Sequence, residues 1–202
     1  MRLGLVIPVV LAAGAATLAA PAGFTVQDLV AMERLSELAS STAHQRLAFT
    51  VSTLDRDANR RRTDIWTVDA RDGEAPVRLT ADPASDTSPA WSPDGQSLYF
   101  LSSRSGSSQV WRIPGAQAGE ATQVTKYPLD VAAFQLSRDG RQLAVALEVF
   151  VDCADLSCTV DRLADAEQRK ATGRLYDALI FRHWDTWKDG RRSHLFVAPV
   201  DV

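Results

Sequence analysis

Short apolar runs separated by clusters of turn-forming residues set the pattern of this chain from residue 45 onward. "QRLAFTVS" (45–52), "DIWTVDA" (64–70), "SLYFLS" (97–102), "QVWRI" (109–113), "VAAFQLS" (131–137) and "RQLAVALEV" (141–149) have the length and composition of strands. "LYFL" is apolar on both faces, as expected of an inner strand covered from both sides, whereas "QVWRI" alternates. Between "PAWS" and "SLYFLS" lies Ser92-Pro93-Asp94-Gly95. There proline presets one backbone angle, aspartate bonds its own turn and glycine takes the positive φ, which predicts a hairpin.

The pattern repeats. Ser92-Pro93-Asp94-Gly95 returns as Ser137-Arg138-Asp139-Gly140, Asp64-Ile65-Trp66 returns as Gln109-Val110-Trp111, and Arg78-Leu79-Thr80 returns as Gln123-Val124-Thr125, each about 45 residues on. A period of that length built from short strands predicts a β-propeller, each blade a four-stranded antiparallel sheet. The reading places three blades at about 45–80, 88–126 and 131–202, the propeller part covering 45–202. In the third, His194-Leu195-Phe196 stands where Gln109-Val110-Trp111 stood, displaced by an insertion at about 150–190. The fold class is therefore all-β: a partial, incomplete propeller with an N-terminal helix and a helical, disulfide-containing insertion. Three blades do not close a ring, so the sequence reads as the front portion of a longer protein.

Ahead of the repeats, residues 23–44 read as a helix and lead-in. In "FTVQDLVAMERLSELAS" (24–40), Thr25 caps, Asp28 follows three residues later, and Leu29, Met32, Leu35 and Leu38 recur at helical spacing, predicting a helix against the propeller edge. The first blade lacks its own Ser-Pro-Asp-Gly; "SSTAH" (40–44) stands in its place. Within the insertion, "DRLADAEQRKA" (161–171) reads as a second helix with a solvated charged face.

Residues 1–22 carry Arg2, then an apolar, small-residue stretch ending in Ala20-Pro21-Ala22. That is the form of a cleaved export signal; a membrane anchor is the alternative, but the stretch is barely long enough and rich in Ala and Gly. No other segment approaches spanning length, so the expected location is periplasmic or secreted, with no membrane association after cleavage. The only cysteines, Cys153 and Cys158, then favour a disulfide; two thiols without a nearby histidine are too few for a metal. A net charge of −3 without a basic stripe argues against a nucleic-acid partner. No metal site and no cofactor are expected.

A helix leading into Ser-Pro-Asp-Gly propeller repeats, followed by the insertion with both cysteines and Arg182-His183-Trp184-Asp185-Thr186-Trp187, resembles the start of a prolyl oligopeptidase family serine peptidase. Within that family it is most similar to the exported bacterial dipeptidyl or acylaminoacyl peptidase branch. The resemblance implies a propeller that covers a C-terminal α/β-hydrolase domain of the same full-length chain and admits short peptides as substrates. The hydrolase would supply Ser, Asp and His, the serine on a G-x-S-x-G elbow. No such elbow lies in these residues, and His44, His183 and His194 have no serine and acid arranged around them, so no catalytic residue is assigned and the chain alone is expected to be inactive. The alternative is a non-enzymatic, Tol-type periplasmic propeller that binds protein partners.

Four residues are candidates for substrate contact. Asp185 could hold a peptide's α-ammonium, with Trp184 and Trp187 adding cation–π attraction and an apolar wall. The competing and favoured reading is that both indoles pack the insertion onto blade three, with Asp185 pairing Arg182 or bonding a turn. Glu148, in "VALEVFV", is the other ammonium acceptor considered; a buried acid there needs a partner, which could equally be structural.

Overall fold

The structure is a computed structural model that describes residues 23–41, 43–71, 73–114, 119–171, 173, 176, 182–184 and 186–200. The expected export signal at 1–22 lies outside these. The chain divides into two compact units, residues 1–31 and 32–202. In the first, α1 (Val26–Ala31) begins with the expected reciprocal cap: Thr25 N and Oγ1 donate to Asp28 Oδ2, and Asp28 N donates to Thr25 Oγ1. Those bonds hold the Asp28 carboxyl below its usual range.

The second unit holds three antiparallel meanders. Sheet one is β1 (Arg34–Ser41), β2 (Arg46–Asp55), β3 (Arg60–Asp69) and β4 (Val77–Arg78), hydrogen-bonded in chain order. Sheet two repeats this with β5 (Asp86–Trp91), β6 (Ser97–Ser102), β7 (Gln109–Pro114) and β8 (Thr122–Gln123). Sheet three contains β9 (Val131–Leu136) and β10 (Gln142–Phe150); the chain then leaves for α2 (Leu156–Gln168) and a small hairpin, β11 (Arg182–His183) with β12 (Thr186–Trp187). It returns as β13 (Arg191–Pro199), which pairs with β10.

The pairings reproduce the sequence repeat. Leu101 faces Val110 and Phe100 faces Trp111 in sheet two; Ala146 faces Leu195 and Val145 faces Phe196 in sheet three. The insertion is therefore a loop-out between two strands that stay in register, and His194-Leu195-Phe196 does replace Gln109-Val110-Trp111.

Residues 34–40 are not helical. They form β1, whose register runs from Arg34 opposite Ser52 to Ser41 opposite Arg46, with a bulge between Ser36 and Ala39 that places Glu37 at φ 51°. Leu35 and Leu38, which supplied the helical spacing, are exposed. The free edge of β2 offers a row of backbone partners, and that non-local pairing overrides a spacing that marks no buried face.

Alternation on β6 builds both cores. Leu98 and Phe100 join Ala48, Ile65, Leu79 and Ile113 between sheets one and two. Tyr99 and Leu101 join Val110, Val131, Leu143, Val145 and Leu147 between sheets two and three. Each fully buried Leu, Ile or Phe contributes about 1.5–3 kcal/mol, so β6 alone secures two interfaces.

The two Asp-Gly hairpins are chemical copies. Ser92 Oγ donates to Asp94 Oδ1, Gln96 N donates to the same oxygen, Ser97 N donates to Ser92 Oγ, and Gly95 sits at φ 70°. Ser137, Asp139, Arg141, Gln142 and Gly140 repeat every bond, with Gly140 at φ 72°. In the first sheet the left-handed residue is Gln45, at φ 50° and one place before β2, whereas Gly95 and Gly140 stand two places before β6 and β10. The three turns lie side by side. A Cβ on Gly95 would stand 2.5 Å from Ser41 Oγ and 2.6 Å from His44 Cδ2, and one on Gly140 would stand 3.2 Å from Pro93.

Candidate functional site

The insertion is anchored before it projects. Asp155 is the N-cap of α2, its Oδ1 accepting from Cys158 N and Ser157 Oγ, which holds its carboxyl below the ordinary range. The helix therefore starts five residues ahead of the sequence reading, at Leu156, and ends at Gln168. Cys153 and Cys158 are disulfide-bonded across this cap. Thr159, fully buried, accepts from Phe150 N, and Leu156, Val160 and Leu163 pack on the core between sheets two and three. Arg162 donates both terminal nitrogens to Asp152 at 2.8 and 2.7 Å and lies 5.2 Å over the Phe150 ring. One small apolar face, one disulfide and one bidentate ion pair thus tie α2 to the end of β10.

The β11–β12 hairpin carries the aromatic residues. Arg182 pairs with Trp187 and His183 with Thr186. Trp184, at the tip, is at φ 55° and 84% exposed; Trp187 is 47% exposed. The Arg182 Nε donates to the Trp184 carbonyl, its guanidinium lies 5.4 Å over the Trp187 ring, and Tyr176 stacks on Trp187 with centroids 6.0 Å apart. Neither indole is buried in a core. A substrate ammonium at Trp187 would compete with a guanidinium already held there, whereas Trp184 presents most of its surface to solvent. Asp185 lies outside the described residues.

Glu148 stands on β10 opposite Ser193 of β13, half-buried. Its neighbours on that face are Ala144 and Ala146, because Leu143, Val145, Leu147 and Val149 point to the core. Among the described residues no hydrogen bond or ion pair engages its carboxylate, and none joins it to the hairpin.

Three acidic side chains with specific partners are not marked as such by the sequence. Asp86, wholly buried, accepts from Arg104 Nη2 at 2.8 Å through both oxygens, and the guanidinium rests over Phe100 and Trp111. Asp64 accepts from Arg78 at 2.8 Å. Glu37 Oε2 accepts from Ser88 N, where both residues are left-handed bulge positions, joining β1 to β5. A polar residue recurring at a fixed place in "DIWT" and "QVWR" was the available signal for Asp64; nothing local marks the others. An open depression of about 570 Å³ lies beside Asp82, Arg104 and Glu120. Its guanidinium is already engaged by Asp86. Among the described residues no three His, Cys, Asp or Glu gather as a metal site, and no helix is long and apolar enough to cross a membrane.

Residues 39–152 match the TolB beta propeller domain. Over 176 residues the chain is 27% identical to the dipeptidyl-peptidase 5 of Porphyromonas endodontalis, covering 87% of this chain and 24% of that protein. It is 39% identical over 59 residues to the Tol-Pal system protein TolB of Bordetella pertussis, covering 29% of this chain and 13% of that one. The acylaminoacyl peptidase of Pyrococcus horikoshii shares the fold, with TM-score 0.60 and 14% identity over 84% of this chain and 24% of that one. The chain thus spans about a quarter of the peptidases it matches, and it is homologous to their propeller regions.

Proposed function

We propose, on the premise that this chain belongs to the TolB beta propeller domain family, that it is the substrate-gating propeller portion of an exported serine exopeptidase of dipeptidyl or acylaminoacyl type. The observation that carries the reading is the match to dipeptidyl-peptidase 5 over 176 residues, 87% of this chain and longer than the repeats at 45–149. A shorter match to TolB, over 59 residues and 29% of the chain, favours a protein-binding propeller less. A ring of blades over a hydrolase excludes folded chains sterically and admits short ones, so specificity for small peptides needs no extra chemistry in the propeller.

In this reading the nucleophile, its base and the oxyanion hole belong to a hydrolase domain of the full-length protein, and residues 1–22 direct export. The disulfide supports an oxidising compartment. The insertion hairpin supplies the substrate contact: Asp185 takes the free α-ammonium and Trp184 gives it an aromatic wall, with Glu148 as the competing acceptor.

The test is to express the complete gene product with its leader, sequence its mature N-terminus, and assay dipeptidyl and N-acylated chromogenic substrates. Release of dipeptides or acylated residues, abolished by a serine-directed inhibitor, is expected. Asp185→Asn should raise KM for free-amine peptides more than for N-blocked ones; equal effects on both would remove Asp185 from the role. A complete product with no hydrolytic activity that captures a periplasmic protein would favour the Tol-type alternative.

A further inference from the structure

The β2–β3 hairpin of sheet one stands taller than the β6–β7 hairpin of sheet two. Ile65 and Val110 are equivalent positions, each donating its N–H to a threonine, Thr80 or Thr125. Beyond Ile65 the ladder of sheet one runs five more pairs, to Asp55 opposite Arg60; beyond Val110 that of sheet two runs one, to Ser102 opposite Gln109. At roughly 3.4 Å per residue the difference lifts a two-stranded ribbon by about 13 Å. None of its residues joins the core between sheets one and two. The ribbon is nonetheless braced: Thr63 N donates to Ser85 Oγ at 3.2 Å, Arg60 Nη2 to the Pro83 carbonyl at 3.5 Å, and Asp55 Oδ1 accepts from the amides of Asp57 and Ala58 to close its turn.

This ribbon carries arginine at positions 56, 60, 61 and 62 and no lysine. Arg60, Arg62 and Asp64 alternate onto one face of β3. Asp64, whose side chain is 4% exposed, is held by Arg78 at 2.8 Å and in turn takes Arg62 Nε at 3.5 Å. Among the described residues no acceptor engages Arg62 Nη1 or Nη2, no carboxylate pairs with Arg56, Arg60 or Arg61, and a buried terminal nitrogen of Arg61 has no hydrogen-bond partner. The carboxylate behind Arg62 thus aims its fork outward, two residues from a second exposed fork on Arg60. Such forks suit the two oxygens of a carboxylate.

We propose that the β2–β3 ribbon binds an extended acidic polypeptide segment, with carboxylates two residues apart meeting Arg60 and Arg62. Alternate side chains of an extended chain are separated by about 6.8 Å, the spacing of the two arginines on their own strand. A membrane surface is disfavoured because no large apolar side chain of the ribbon is exposed to anchor it, and a nucleic acid because the whole chain is net negative. The inference does not depend on the peptidase reading, since it concerns binding and not cleavage.

The experiment measures fluorescence anisotropy of a labelled octapeptide alternating glutamate and serine, with both ends blocked, against the full chain. The comparison peptides alternate glutamine and serine, or carry the same four glutamates in one run. Binding of the alternating acidic peptide is expected, absent for the glutamine peptide, weaker for the run, and reduced at least about fivefold between 50 and 300 mM salt. The double variant Arg60→Gln, Arg62→Gln should bind at least about tenfold more weakly with an unchanged melting temperature. Arg138→Gln with Arg141→Gln, the same charge change at the β9–β10 turn, should bind as the parent does. Equal binding by the parent and the Arg60, Arg62 variant overturns the proposal, as does an equal loss in both double variants, which would reduce the effect to net charge. Capture by phosphatidylglycerol vesicles without peptide binding overturns it too, assigning the ribbon to an anionic membrane.

Discussion

Arg104→Met should be among the most damaging single substitutions in sheet two. The side chain reaches back from the β6–β7 turn to Asp86 at the start of β5, donating from Nη2 to both carboxylate oxygens at 2.8 Å and from Nε to Ser102 Oγ at 3.0 Å. Asp86 has no exposed surface and the Arg104 side chain is 16% exposed, so solvent screens the pair little. Methionine keeps part of the apolar stem but leaves a buried carboxylate without its counter-charge. Removing one partner of a buried pair costs about 3–5 kcal/mol, to which loss of the guanidinium over Phe100 and Trp111 adds about 0.5–1 kcal/mol per ring. A domain stable by about 5–15 kcal/mol would lose a large share of that. Urea unfolding followed by tryptophan fluorescence gives the change directly, with Asp86→Leu and the double variant closing a thermodynamic cycle. The double variant should be less destabilised than Arg104→Met alone, because no charge is left stranded. A cost below about 1 kcal/mol for Arg104→Met, the range of exposed ion pairs, or a coupling near zero would refute the reasoning.

Other perturbations follow from the same geometry. Gly95→Ala meets both a left-handed backbone and contacts at 2.5 and 2.6 Å, whereas Gly73→Ala at φ 63° has open space around its Cβ; calorimetry should show about 1–3 kcal/mol for the first and clearly less for the second. Asp94 and Asp139 are held below the usual carboxylate range by Ser92 and Ser137 and by the amides of Gln96 and Arg141. A depressed folded value means their bonds stabilise fully above the ordinary Asp range and are lost as pH falls through the folded value; the Asp94→Asn, Asp139→Asn double variant should therefore have a shallower fall in urea midpoint between about pH 4 and 2 than the parent. Thr125→Val strands the buried Val110 N–H and should cost about 1–3 kcal/mol in denaturant titration. Serine at both Cys153 and Cys158 opens a short loop worth about 2 kcal/mol, with faster amide exchange in the first turn of α2 and unchanged exchange in β6.

What the sequence determined by itself were the features written within a few residues of one another or repeated at a fixed interval. Ser-x-Asp-Gly closes its own turn because every donor and acceptor lies inside six residues, and the 45-residue interval carried the strand pairing of sheet two into sheet three across the insertion. Thr25 with Asp28 announced a helix start for the same local reason. Asp155 carries an equally local cap signal for α2, ahead of the charged run at 161–171. Tertiary structure alone decided that residues 34–41 become a strand, since the free edge of β2 outweighs the spacing of Leu35 and Leu38. It alone brought Arg104 to Asp86, Glu37 to Ser88, and a guanidinium onto Trp187. Each of those requires partners whose approach depends on sheet packing or loop closure, and a pattern read along the chain holds no distance between residues that only folding brings together.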